Sequence, residues 1–329
     1  MKRFARPLSF VFAAAFLVAT LLNASLVGSS RQALARAVAR GSSVGPPERW
    51  LVVAIIPEAG DSFFEGLVEG IARGAPEAGM AVLFHRYPES EPDEALRWFE
   101  TALAARVDGV IMYTSGDDPV SELARRARRE GVVFVPVGRD PPPGTLAGFI
   151  GSGSLRQGRE AGRIIGEGLG SAARVGVILP TGEGGASEDE PLYRGLAEGL
   201  SPWPGATIMA AVRSGAGVLA GEQAASELVR ANPGINALFC GSSVDTVGAA
   251  QVVVDLALVG RVLIVGTDET AEIGRYVDRS VVAASIVRDS PWIGGEAVRS
   301  FAALAEGKEP GRNLEAGYYI LTASDGAQK

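Results

Sequence analysis

The chain reads as an α/β protein made of two similar doubly wound lobes, each with a mostly parallel sheet, facing each other across a ligand cleft. Three observations predict this. Short apolar runs rich in β-branched residues alternate with helix-like stretches from Trp50 almost to the C-terminus. Such alternation implies right-handed βαβ units and sheets covered on both faces. The segment 139–154, Arg-Asp-Pro-Pro-Pro-Gly followed later by Gly-Ser-Gly-Ser, punctuates the middle, and the rhythm restarts from Gly151 as it began at Trp50.

The first unit sets the pattern. Leu51-Val-Val-Ala-Ile-Ile56 is a buried-strand run broken by Pro57 and Gly60. Ser62, with Glu65 three positions on, has the spacing of a capping box for the helix that follows. Between strand and helix stand Asp61, Phe63 and Phe64. Loops at the carboxyl ends of parallel strands are where open α/β sheets bind ligands. Rings there can stack on the C–H face of a small polar ligand while a carboxylate accepts from its hydroxyls. Packing of the rings into the core is the competing reading.

The remaining strands are predicted at 81–85, 109–113, 132–137, 148–151, 175–179, 207–211, 237–240, 262–265 and 281–287. Helices are predicted at 62–78, 91–106, 119–130, 155–169, 190–200, 217–231, 245–258, 270–278 and 291–306. Their end signals agree: Asp93-Glu94 in a first turn, Pro119 and Pro291 near helix starts, Gly79 and Gly131 just past helix ends.

Of the 329 residues, 47% are hydrophobic and 21% charged, ample for two lobes with cores. Lys2, Arg3 and Arg6 precede an apolar run from Leu8 to Val27, the layout of a secretory signal. Ala33-Leu34-Ala35 offers a cleavage site, with Ala24 or Gly28 as alternatives. The run is close to the ~20 residues that span a bilayer, so an uncleaved anchor is the alternative to a signal peptide over 1–35. A linker over 36–48, containing Gly-Ser-Ser-Val-Gly-Pro-Pro, leads into the body. Export to the periplasm or cell surface is expected either way. Residues 1–49 hold seven of the 31 basic and one of the 38 acidic residues. The body therefore carries 24 basic against 37 acidic residues, a net −13, which gives no electrostatic footprint for nucleic acid.

Catalytic chemistry finds little support. Cys240, the only cysteine, lies in an apolar strand and reads as inert core; it permits no intrachain disulfide. His85, the only histidine, gives no metal-ligand spacing and no nucleophile–base pair. Gly151-x-Gly153 lacks the dinucleotide fingerprint, and Thr181-Gly-Glu-Gly-Gly185 lacks the Gly-Lys-Ser/Thr of a phosphate loop. No Gly-x-Ser-x-Gly elbow is present.

What stands out is a set of polar residues at successive strand ends: Arg139, Arg194, Ser242 with Ser243, Asp268 and Arg288. Singly each reads as a solvated loop residue. Together, opposite Asp61 and two Phe rings, they suit a small polyol, because Arg supplies a planar donor fork and Asp accepts from hydroxyls.

At this point the chain resembles the periplasmic sugar-binding proteins of the ribose-binding type, which serve ABC importers, over about residues 50–322. The family's first loop typically reads Asn-Pro-Phe-Phe, and in this chain Gly60-Asp61-Ser62-Phe63-Phe64 takes its place. Its Asp-Arg pair becomes Gly138-Arg139, and its Arg ahead of a Gly-Phe pair matches Arg194 ahead of Gly199-Leu200. Its Asn-Asp becomes Ser242-Ser243, its Gly-Phe-Asp becomes Gly266-Thr267-Asp268, and its cleft Gln becomes Arg288. Loss of the Asp and Asn and gain of Arg288 shift the expected ligand from a neutral pentose towards a sugar acid.

The resemblance further implies the type I periplasmic binding fold, with three chain crossings at a hinge. The lobes would be 49–150 plus 289–316 and 151–288 plus 317–329. A monomer without cofactor, metal or enzymatic activity is implied, closing on a sugar-like ligand for an ABC permease. The alternative is a membrane-anchored sensor module serving a kinase or chemoreceptor. Repressors related to the lactose repressor share the core but carry a helix-turn-helix where this chain has its apolar segment. Phe64→Ala and Arg139→Ala are expected to abolish ligand stabilisation without disturbing the fold.

Overall fold

The computed structural model describes residues 49–58, 62–88, 91–114, 119–138, 149–180, 186–308 and 314–323. The expected signal or anchor and its linker lie outside the described residues. Residues Glu48–Lys329 form one compact unit.

In chain order the unit begins with β1 (Trp50–Glu58), α1 (Ser62–Gly74), β2 (Met80–Pro88), α2 (Pro92–Ala104), β3 (Gly109–Thr114), α3 (Val120–Arg129), β4 (Val133–Gly138) and β5 (Ile150–Gly151). It continues with α4 (Ser154–Leu169), β6 (Arg174–Leu179), α5 (Pro191–Leu200), β7 (Thr207–Arg213), α6 (Val218–Ala231), β8 (Ala237–Cys240) and α7 (Ser243–Asp255). The last elements are β9 (Leu263–Thr267), α8 (Ala271–Asp278), β10 (Ala284–Arg288), α9 (Ser290–Ala305), β11 (Leu314–Glu315) and β12 (Tyr318–Leu321).

These strands form two six-stranded sheets, ordered β2-β1-β3-β4-β5-β11 and β7-β6-β8-β9-β10-β12. Every pairing is parallel except β10 with β12. The chain leaves the first sheet after β5, returns to it through α9 and β11, and ends in the second on β12. It is a two-lobed α/β fold, as the alternating pattern predicts. The two short closing strands are absent from that prediction.

Continuous apolar runs make these strands because both faces of each sheet are covered. In β1, Val52, Ala54 and Ile56 enter one core while Val53 and Ile55 enter the other. In β6, Val175, Val177 and Leu179 face one core and Ile178 the opposite one. Helix starts are fixed by side chains: Thr270 Oγ1 accepts from the Ile273 N–H at 3.1 Å and Asp289 Oδ1 from Trp292 at 3.0 Å. The capping box expected at Ser62 is not formed as drawn, because α1 already includes Ser62 and Glu65 accepts from Arg86 Nη2 at 2.7 Å.

One helix pair positions the site. α4 carries Gly158 and Gly162, and α5 carries Gly195 and Gly199, at matching one-turn spacings. A Cβ on Gly195 would lie 2.0 Å from the Leu155 carbonyl oxygen, and one on Gly158 would lie 2.1 Å from that of Leu192. Glycine costs a helix about 1 kcal/mol relative to Ala. Here that cost permits backbone-to-backbone packing, which brings the start of α5 to the tips of the second sheet.

Candidate functional site

The site is assembled from strand tips. β10 ends on Arg288, whose guanidinium lies 4.0 Å from the centroid of the Phe63 ring. Phe63 belongs to the first turn of α1 beneath the first sheet's tips, so this cation–π contact joins the two lobes. Arg288 Nε donates to Asp268 Oδ1 at 2.9 Å, Nη2 donates to Oδ2, and its backbone N–H also reaches Oδ1 at 3.2 Å. This is a forked charge-assisted pair. The two side chains are only 10% and 3% exposed. Asp268 holds a left-handed backbone, φ +63°, just past β9. Aspartate tolerates that region better than most residues. Its carbonyl accepts from Ser285 Oγ at 2.6 Å, and its N–H donates to Ile286 at 2.9 Å.

Beneath this pair runs a buried polar chain. Gln157 Nε2 donates to Thr267 Oγ1 at 2.8 Å, and that hydroxyl donates to the Cys240 carbonyl at 2.7 Å. The Thr267 N–H donates to Thr246 Oγ1 at 3.0 Å, and Thr246 in turn donates to the Ser242 carbonyl at 2.8 Å. A cavity of about 40 Å³ opens beside the chain, with Ser152, Gln157, Pro180, Glu190, Leu192 and Arg288 among its lining residues.

Of the residues expected at the site, Phe63, Asp268 and Arg288 come together. Asp61 and Arg139 lie outside the described residues. Phe64 is 3% exposed and packs edge-to-face on Tyr113, centroids 4.9 Å apart, within the first sheet's core. Its role is therefore bound up with folding, and Phe64→Ala cannot leave the fold untouched. Ser242 caps α7: its Oγ accepts from the Asp245 N–H at 3.2 Å and donates to Asp245 Oδ2 at 2.6 Å. Arg194 sits one turn into α5 and is exposed. A cradle of three arginines is thus not assembled among the described residues.

Glu190, Arg213, Gln157 and Thr267 were missed as individual site residues. Arg213 had the signal of a charge at a strand tip, but the strand was expected to stop at 211. Gln157 and Thr267 give no such signal, since a buried amide or hydroxyl is legible only through its partners.

Nothing among the described residues resembles an activated nucleophile. The Cys240 thiol is fully buried, and burial pushes its pKa well above the ordinary range. The His85 ring stacks on Trp98 at 3.9 Å and bonds Glu94 at 3.1 Å, on β2 and α2. No group of three or more His, Cys, Asp or Glu suited to a metal occurs among the described residues.

Two α/β lobes with polar and aromatic residues at facing strand tips define a binding clamp. The periplasmic binding protein domain matches residues 52–309, and the chain belongs to that family. The D-allose-binding periplasmic protein of Escherichia coli (strain K12) is 20% identical over 253 residues, covering 74% of this chain and 81% of that protein. GanP, a glucose-galactose binding protein from Geobacillus stearothermophilus, superposes with a TM-score of 0.77 at 22% identity, over 84% of this chain and 98% of its own. The structure described as the XylFII-LytSN complex gives 0.76 at 24%, over 85% and 100%. These likenesses are the expected type I periplasmic binding fold.

Proposed function

We propose that the protein is an extracytoplasmic solute receptor that closes its lobes on a sugar-like ligand and hands it to an ABC-type importer. The lobes are taken as 49–150 plus 289–316 and 151–288 plus 317–329. The observation that carries this reading is Arg288, ion-paired to Asp268 on one lobe and lying over Phe63 on the other. A ligand that engages such groups has differential affinity for the closed state, which is what shifts a two-state hinge. Family membership supports a binding role outside the cytoplasm, and the relatives named above are described as binding proteins of allose, glucose and galactose.

A thermal-shift screen of the purified chain against neutral aldoses and sugar acids tests it. Ligand at ~100 times its dissociation constant stabilises by ~2.7 kcal/mol. A stabilising carbohydrate supports the proposal, and silence across aldoses and acids sinks it.

A second reading, a membrane-anchored sensor module, is favoured by one observation: a neighbour of this fold is known in the XylFII-LytSN complex. N-terminal sequencing of the mature protein separates the two. Cleavage between residues 24 and 35 fits a diffusing transport component, and retention fits a tethered sensor.

A further inference from the structure

A carboxylate outside the set of strand-tip residues lines the cavity. Glu190 precedes α5 at φ −63°, ψ 135°, and its side chain makes no cap bond to that helix. It accepts instead from Nη2 of Arg213, the last residue of β7, whose Nη1 donates to the Pro180 carbonyl at 2.8 Å. The Arg213 side chain is 9% exposed and that of Glu190 25%. The arginine is therefore the buried anchor, and the carboxylate is the half that meets the cavity. Among the described residues Arg213 Nε is buried without a hydrogen-bond partner. A pair with an unmatched donor is a weak device for stability. It is an effective one for fixing a negative charge in place.

The charge balance then constrains the ligand. Among the described residues, Glu190 and Arg288 are the ionisable side chains lining the cavity, and each is paired with an opposite charge, Arg213 and Asp268 respectively. A carboxylate ligand finds no uncompensated guanidinium there, because Asp268 already balances Arg288 and Glu190 already balances Arg213, and it must sit beside those two carboxylates. A hydroxyl can donate to Glu190 and accept from Arg288 with both pairs intact.

We propose that Glu190, oriented by Arg213, is a specificity-determining residue that admits neutral polyhydroxy ligands and rejects their acids. This rests on the carbohydrate-binding reading and reverses the sugar-acid preference implied by the strand-tip arginines.

Calorimetric titration of the purified chain tests it, with D-glucose, D-galactose, D-allose, D-ribose and D-xylose set against D-glucuronate, D-galacturonate, D-ribonate and D-xylonate. The neutral sugars are expected to bind at least about tenfold tighter than the acids, and Glu190→Gln to close that gap by about tenfold through stronger acid binding. Arg213→Gln leaves the carboxylate uncompensated and is expected to widen it, an independent arm should Glu190→Gln fail to fold. An acid binding as tightly as its parent sugar, in the unaltered protein, overturns the proposal and leaves carbohydrate binding standing. So does an unchanged gap in a folded variant. Should no sugar or acid bind, the carbohydrate reading falls and takes this proposal with it.

Discussion

The two lobes repeat one strand order but furnish their tips differently. In the first, three rings cluster near the described tips: Phe63, Phe64 and Tyr113 meet edge-to-face with centroids 4.9–6.3 Å apart. In the second, the tips hold Gln157, Thr267, Asp268 and Arg288, linked by hydrogen bonds. A ring wall needs only area and shape, so it tolerates adjustment at the cost of packing energy. A buried polar tip must have nearly every group matched, and a single unmatched group is costly. Under the proposed binding role, discrimination between ligands is expected to reside in the second lobe, with the rings of the first as a platform.

Substitutions can break this contrast in descending order of effect. Phe64→Ala should destabilise by about 3–5 kcal/mol through lost core packing. Arg288→Ala should cost a similar amount, about 3–5 kcal/mol, by leaving the Asp268 carboxylate buried without its partner. Urea unfolding measures both. The two separate in a binding assay: Arg288→Ala should abolish carbohydrate binding even where the chain stays folded, whereas Phe64→Ala should weaken it in step with lost stability. Thr267→Val should cost about 1–3 kcal/mol, since it strands the Gln157 amide and the Cys240 carbonyl, with a lowered unfolding midpoint as the readout.

The smallest effect is alkaline. The phenols of Tyr276, Tyr318 and Tyr319 are raised above the ordinary tyrosine range, chiefly by burial and then by neighbouring carboxylates, Glu269 for Tyr319. Each keeps its proton in the folded state at a pH where the unfolded chain has lost it. The folded state then binds more protons, so stability should fall as pH rises above about 10. Absorbance titration near the phenolate band, with Tyr319→Phe as control, checks this. Phenols that ionise at the ordinary tyrosine pKa would remove the effect.

Most of the fold was legible in the sequence because buried parallel strands announce themselves as unbroken apolar runs, and Gly131 marks a helix exit, whereas the helix expected to run to 78 stops at Gly74, short of Gly79. β11 and β12 escaped notice because strands of two and four residues at a chain crossing have no periodicity to read. The site was legible where charge stood alone at a strand tip, as at Asp268 and Arg288. At α5 two Gly-Leu pairs, 195–196 and 199–200, lie one turn apart. The pattern taken from the later pair points to exposed Arg194, while the residue at the helix entrance is Glu190. Rings at the first lobe could not be divided between core and cleft by sequence, since Phe63 and Phe64 are adjacent and both bury.

The glycine seam between α4 and α5 has a consequence for how such a receptor diversifies. With no room for even a methyl group, the two helices behave as a single rigid strut, and Glu190 rides on its end. If Glu190 selects ligands as proposed, preference can change by exchanging the residue at position 190 or its arginine clamp, while repacking the strut itself is closed off by backbone collision.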